Sequence, residues 1–293
     1  MSNEITDSVE IQKFLDKVAG LDNDQGNPRI KTIVRRLVGD LFAAIEDLEI
    51  NETEFWKGLH FIQAAAPELI LISPGLGFDH FLDVLMDEAD KKAGKLGGTP
   101  RTIEGPLYVE NAPISDGYAE MVTDEPGDPM ELTGVVKDQQ GNPIDSALVE
   151  IWHASETGGY SHFDPTLVEF AFRRGIRTGA DGAYKAKSIM PSGYAVPPGG
   201  SSETLLGQLG RHGNRPAHIH FFVSAPGYKH LTTQINIAGD PFTYDDFAFA
   251  TRDELVVESS DVDGIAKVKF DLTLVKSHDD DDTARAARNR MAG

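Results

Sequence analysis

Apolar residues recur every three or four positions over Asn27 to Leu48, where Ile30, Ile33, Val34, Leu37, Leu41, Ile45 and Leu48 fall on one stripe. That spacing predicts an amphipathic helix. Ser8 to Leu21 and Phe78 to Ala93 carry weaker versions of the same pattern, and Asn51 followed by Glu54 reads as a helix start. The segment SPGLG (Ser73 to Gly77) breaks the helical run. From about Thr99 the period changes. Short stretches rich in β-branched residues take over: Glu131 to Lys137, Ala147 to Trp152, Gly182 to Ile189, Ala217 to Val223, Leu231 to Ile237 and Lys267 to Val275. Turn signals such as QQGNP (Gln139 to Pro143) and ADG (Ala180 to Gly182) separate them. The pattern predicts an α+β chain: a helical domain over residues 1–98, an antiparallel β-sandwich over 99–276, and a polar, disordered tail over 277–293.

Composition narrows the partners. The 293 residues are 40% hydrophobic and 25% charged, near globular averages. A formal charge of -20 argues against nucleic acid and against anionic membrane surfaces, and favours a small neutral substrate. There is no cysteine, so thiolate metal sites and disulfides are excluded. No apolar run reaches the roughly 18 residues of a membrane span, and MSNEITDSVEIQKF lacks the features of a secretory signal, so a cytoplasmic location is expected.

The chemistry concentrates in PAHIHFFV. On a strand, residues two apart share a face, so His218 and His220 project together as a chelating pair. The same HxH also suits two strand histidines making ordinary hydrogen bonds. Two tyrosines, Tyr160 in GYSHFD and Tyr194 in PSGY, lie in loops that follow predicted strands. Phenolate is a hard, anionic donor that suits ferric iron better than zinc or cuprous copper, and a bound trivalent cation supplies the charge that deprotonates a tyrosine. Two alternatives stay open at this point. One is a ferrous site of two histidines and a carboxylate, Asp164 or Glu169; the other is a non-catalytic β-sandwich binding module, which Leu132 to Trp152 would fit.

Four segments, RTIEGPLY (Arg101 to Tyr108), GYSHFDP (Gly159 to Pro165), LGRHGNRPAHIHFFVSAPG (Leu209 to Gly227) and LTTQIN (Leu231 to Asn236), resemble the intradiol ring-cleaving dioxygenases. The likeness runs from about residue 10 to about residue 275. It implies one Fe(III) per chain held by Tyr160, Tyr194, His218 and His220, with a small aromatic diol and dioxygen as substrates. It further implies that Tyr194 is the ligand released when the diol binds, that Arg215 is the active-site cation, and that Gln234 neighbours the reacting ring. Leu71 and Pro74 of the LISPG segment, with Ile103, Pro106 and Leu107, match the family's substrate wall. The N-terminal helices are expected to pair two subunits into a homodimer and to enclose a phospholipid. Two departures stand out: Ala195 follows Tyr194 where the family pattern has glycine, and the stretch after Leu255 is shorter than usual.

Overall fold

The computed structural model describes residues 4–121 and 125–277. It divides into two compact units, Met1–Ala66 and Pro67–Gly293. Three helices build the first: α1 (Val9–Val18), α2 (Pro28–Asp47) and α3 (Glu52–Ala65). Each starts where a polar side chain satisfies otherwise unpaired N–H groups. Ser8 accepts from Ile11 N, Asn27 from Arg29 N and Ile30 N, and Asn51 with Glu54 forms a reciprocal capping box. Within this unit Glu46 of α2 accepts from the backbone N–H groups of Ile5 and Thr6, and Arg35 pairs with Asp16 of α1.

The second unit opens with α4 (Leu69–Gly75) and α5 (Phe78–Lys92), so the compact units divide earlier than the change of sequence texture at residue 98. The reason lies in long-range pairing. Glu68 accepts from Ser201 N and Ser202 N at the start of α6 (Ser201–Gln208), while Asp87 and Asp90 of α5 pair with Arg101, Lys229 and Arg252. The SPGLG break also falls later than expected. Ser73, Pro74 and Gly75 complete α4, and the chain turns at Gly77, whose φ of 78° only glycine adopts readily.

The strands follow in chain order: β1 (Ile114–Asp116), β2 (Tyr118–Glu120), β3 (Pro129–Asp138), β4 (Leu148–His153), β5 (Arg173–Arg177), β6 (Ala183–Ile189) and β7 (Tyr194–Ala195). After α6 come β8 (Asn214–Arg215), β9 (His218–Ser224), β10 (Leu231–Ile237), β11 (Val256–Val257), β12 (Ser259–Val262), β13 (Ile265–Lys269) and β14 (Leu272–Leu274). One sheet has the order β1-β5-β4-β9-β10-β11 and the other β12-β13-β3-β6-β2, with β14 also pairing β3. Their central pairings are antiparallel, as expected. The short flanking strands β1, β2, β11, β13 and β14 add parallel pairings. The stretch read as one strand over Lys267 to Val275 is broken. Phe270 O accepts from the Tyr184 hydroxyl, and the Asp271 carboxylate accepts from Val135 N–H.

A single apolar core joins the two sheets into a sandwich: Met130, Leu132, Tyr184 and Val268 from one, Val149, Ile151, Ile219 and Phe221 from the other. Period-two alternation does the sorting. On β9, Ile219, Phe221 and Val223 enter this core, leaving His218, His220 and Phe222 on the opposite face. That second face is buried too, beneath the loops that carry Tyr108, Tyr160 and Tyr194. Apart from Ser277, whose N–H donates to Gly227 O, the tail lies outside the described residues. Among the described residues no single helix is long and apolar enough to cross a membrane.

Candidate metal centre

The outer face of the first sheet presents rows of directly paired residues. Arg173 of β5 stands opposite Trp152 of β4, which stands opposite His220 of β9, which stands opposite Gln234 of β10. One step along, His218 pairs with Asn236. Trp152 stacks flat on the His220 ring, 4.8 Å between centroids and 5° between planes, which fixes the imidazole's tilt. His218 Nδ1 lies 2.6 Å from Pro216 O. A carbonyl only accepts, so Nδ1 carries the proton and Nε2 presents a bare lone pair.

Two loops bring the tyrosines to these imidazoles. Ser155 organises the first by accepting from Gly159 N and Thr157 N through its hydroxyl, and Tyr160 follows with 3% of its surface exposed. Tyr194 sits on β7, whose partner β8 places Arg215 directly opposite it. The loops approach so closely at Gly158 that a Cβ there would lie 2.8 Å from Tyr194 Cβ. Ala195 is exposed and paired with Asn214, so the position where the family pattern has glycine tolerates a side chain. Tyr160 Oη lies 3.5 Å from His218 Nε2, and the rings of Tyr160 and Tyr194 meet edge to face at 5.5 Å. His218 Nε2 is 3.1 Å from His220 Nε2.

Electrostatics decide what this cluster can hold. Burial pushes His218 down to about 3, with the Arg215 charge adding to the effect, and drives His220 well below the usual imidazole range. Both rings are therefore neutral and offer lone pairs at neutral pH. Burial, reinforced by Tyr194, pushes Tyr160 well above the usual phenol value, so only a strong local cation would deprotonate it. His220 Nδ1 is buried with no hydrogen-bond partner among the described residues. If its proton sits there, that N–H is unsatisfied and two lone pairs face each other across 3.1 Å. If it sits on Nε2, it competes with Arg215 Nη1, 3.0 Å away, for the His218 lone pair. A cation between the rings removes the conflict, and about 3 Å is the separation of neighbouring donors on one first-row metal ion. With two phenols alongside, the donor set fits ferric iron.

Arg215 is held from the far side by Asp246, with Nε to Oδ1 at 3.2 Å and Nη2 to Oδ2 at 3.1 Å. Burial alone would lower the guanidinium's affinity for its proton, but Asp246 outweighs it and the net direction is upward. Burial likewise opposes ionisation of Asp246, yet Arg215 and the Ala248 N–H hold its carboxyl below the usual range. Nη2 of Arg215 also donates to Gln234 Oε1 at 2.9 Å, and Gln234 Nε2 donates to Asn236 Oδ1 at 3.1 Å. All six polar residues expected at the centre thus come together.

The expected wall is less uniform. Leu107 packs on the cluster of Trp152, Tyr160 and Phe222, and Ile103 packs one cluster further out with Val196, Leu206 and Phe247. Leu71 borders an apolar cleft against α6, and Pro74 is buried within α4. Pro106 is half-buried beside Gly105, whose missing Cβ would come 3.7 Å from the His220 ring. The carboxylates of the ferrous alternative stay away. Asp164 accepts from Thr166 N–H and Oγ–H in its own turn, and Glu169 is exposed. Among the described residues no third His, Asp or Glu completes a metal site with the two imidazoles.

Trp152, Arg173 and Asp246 belong to the site and escaped the sequence reading. For Trp152 a signal existed, since β4 alternation puts it on the same face as Glu150 and away from Ile151. Burial lowers Arg173 to about 10, with Tyr160 and Tyr108 pulling it back up, so it keeps its charge at neutral pH.

The family model described as "Dioxygenase" matches residues 103–276, and "Catechol dioxygenase N terminus" matches residues 27–94. The chain is a member of the intradiol dioxygenase family. More particularly, it is 49% identical to catechol 1,2-dioxygenase of Acinetobacter baylyi over 310 aligned residues, covering 100% of both chains. It is 55% identical to catechol 1,2-dioxygenase 2 of Acinetobacter lwoffii over 249 residues, covering 84% of this chain and 90% of that one. The structure matches that of the mercury-inhibited catechol 1,2-dioxygenase from Acinetobacter sp. ADP1 with a TM-score of 0.91 at 49% identity, covering 95% of this chain and 96% of the other.

Breaking the buried pair by Asp246→Asn leaves the Arg215 charge uncompensated. The expected loss is about 3–5 kcal/mol of stability, read as a lower midpoint in urea unfolding of the metal-free protein at pH 7. Because the Asp246 carboxyl is depressed in the fold, its contribution is fully present above about pH 4. It fades as pH falls through the lowered value, so variant and parent should converge in acid.

Proposed function

We propose that this chain is a catechol 1,2-dioxygenase that opens the ring of catechol between its two hydroxyls, incorporating both atoms of dioxygen to give cis,cis-muconate. The observation that carries the reading is the convergence of Tyr160, Tyr194, His218 and His220 on one buried point beside the Arg215–Asp246 pair. These four side chains would hold one ferric ion, whose Lewis acidity would draw electron density from a chelated catecholate and ready the ring for dioxygen.

The two tyrosines are not equivalent, and the difference supports the roles that the family resemblance implies for them. Tyr160 is buried and packed on Trp152 and Phe222, whereas Tyr194 is half-buried on a strand of two residues. Tyr194 would be the ligand released when catechol binds; its oxygen would take one of the two protons that catechol loses, and solvent hydroxide the other. Tyr160 as phenolate and the diol as dianion would together balance the charge of a trivalent cation, which suits a site shielded from water. Arg215, held in its fork by Asp246, steadies anionic character developing on the ring. Such fixed charge typically contributes about 3–4 kcal/mol to a transition state. Gln234, donating to Asn236 and accepting from Arg215, keeps the guanidinium turned toward the ring. Trp152 and Leu107 exclude water from the ligand cluster.

The test is spectroscopic. Ferric-loaded protein should show a broad tyrosinate charge-transfer band in the visible, and Tyr160→Phe should bleach or shift it and abolish turnover. A variant that retains both colour and activity removes Tyr160 from the ligand set.

Selectivity follows from the apolar lining. Ile103, Leu107, Leu71, Pro74 and Pro106 carry no charge to offer the ring edge opposite the hydroxyls, and Arg215 would be engaged at the reacting carbons instead. The carboxylate of protocatechuate would be buried there without a partner, at several kcal/mol. Expected kcat/KM for protocatechuate is at least about a hundredfold below that for catechol, measured by oxygen uptake with muconate followed in the ultraviolet. Comparable rates would show that the wall is wrongly placed.

The helical unit supports a homodimer. Of its large apolar side chains, Ile30, Leu37, Leu41, Leu48, Trp56 and Ile62 are exposed, and α2 buries none of its residues. Exposed apolar side chains in this number suit an interface; a second copy of the chain would cover them, and a phospholipid would lie between the helices. Light scattering after size exclusion should give about twice the 31.9 kDa chain mass. A stable monomer at micromolar concentration would refute the pairing, and lipid-free dimers only the lipid.

A further inference from the structure

Arg173 is a buried cation that no anion balances. It is 2% exposed, and no carboxylate among the described residues pairs with it. Its Nε donates to Ser161 Oγ at 2.8 Å and its Nη2 to Ser161 O at 3.2 Å, while Nη1 has no partner. A guanidinium is seldom buried unpaired, because desolvation far exceeds what two neutral acceptors return. Its surroundings indicate what offsets that cost. The guanidinium carbon lies 5.7 Å from the centre of the Tyr160 ring, and Arg173 begins the cross-strand row that continues through Trp152 and His220 to Gln234. Arg215, the other buried guanidinium at the centre, is ion-paired with Asp246. Arg173 is a second cation beside Tyr160, and it has no carboxylate of its own among the described residues.

We propose that Arg173 is a positioning residue for Tyr160: it clamps the ligand loop through Ser161 and keeps an uncompensated positive charge beside the phenolate, so that Tyr160 stays bound while Tyr194 departs. This rests on Tyr160 being an iron ligand. The clamp acts on the residue next to the ligand, and Ser161 passes it on by donating to Ala171 O. The charge favours the anionic form of the tyrosine it faces: Arg215 acts on both tyrosines, and Arg173 adds its own charge on the Tyr160 side.

The two contributions separate by substitution. Arg173→Gln keeps a side chain able to hydrogen-bond Ser161 but removes the charge; Arg173→Lys keeps the charge but loses the planar fork. Each is loaded with ferric iron and compared with the parent by visible absorption, chelator competition for iron, and kcat and KM. Without the charge the phenolate electrons lie higher in energy, so Arg173→Gln should move the tyrosinate band to longer wavelength. It should also hold iron at least about tenfold more weakly. Arg173→Lys should leave the band in place and lower kcat with KM little changed. A band at the parental wavelength in Arg173→Gln, or one shifted equally in both variants, overturns the proposal, since packing alone would treat the two alike. If Arg173→Gln yields no folded protein, Arg173→Lys carries the test, and parental kcat together with parental iron retention overturns the clamp. A parent protein with no band, or one whose band is untouched by Tyr160→Phe, overturns the ligand assignment and this proposal together. A band lost in Tyr160→Phe but indifferent to Arg173 overturns this proposal alone.

Discussion

The double burial of β9 is the constraint on which the rest depends. A strand with one wet face can slip or twist and lose little, but β9 has none: Ile219, Phe221 and Val223 fill the sandwich, and His218, His220 and Phe222 face the ligand loops. A shift by one residue would drive imidazoles into the apolar core and phenylalanine into the metal-binding cluster. Register is thereby set from both sides, and the six Cα pairs that lock β9 to β10 bring Gln234 and Asn236 to the histidines without further adjustment. Catalytic geometry here is a by-product of core packing.

Around that strand the site is assembled as an electrostatic problem with a cation left out. Two neutral imidazoles and two phenols converge, and burial pushes His218, His220 and Tyr160 toward their uncharged forms. The fixed positive charges are treated differently. Arg215 is tied to Asp246 and so can sit close to the lone pairs without dominating them, while Arg173 faces Tyr160 with its charge intact. Such an arrangement favours a metal whose own charge is large and is reduced mainly by oxygen anions.

What was legible in the chain was whatever is local. The HxH pair declares itself because strand alternation needs only neighbours, and the cap at Asn51 likewise acts over three residues. The tyrosines were placed by resemblance, and the fold brings them to the same point. Arg173 was not legible: no strand is read at RRGIR in the sequence, and only the β5–β4 pairing sets its first arginine beside Trp152. Asp246 lies 31 residues from its partner within YDDFAF, where nothing distinguishes it from Asp245, which is exposed and pairs with His212. The division at Ala66 depends on Glu68 reaching Ser201 and Ser202 across 133 and 134 residues, a bond with no signature in the intervening sequence.

The Asp246 carboxylate does two jobs with one oxygen, since Oδ1 accepts from both Arg215 Nε and Ala248 N–H. The residue between, Phe247, sits in the same apolar cluster as Ile103 and Leu206, and its carbonyl is gripped by Arg211, which also holds Gly75 at the end of α4. Arg215 and the hydrocarbon around Phe247 are therefore fastened to one short stretch of backbone. Altering the lining to admit bulkier diols cannot be done at Phe247 without loosening the arginine. Adaptation of this scaffold toward new substrates is channelled away from that loop, to the side chains of α4 and of the segment around Ile103 and Leu107, where volume can change while the charge stays put.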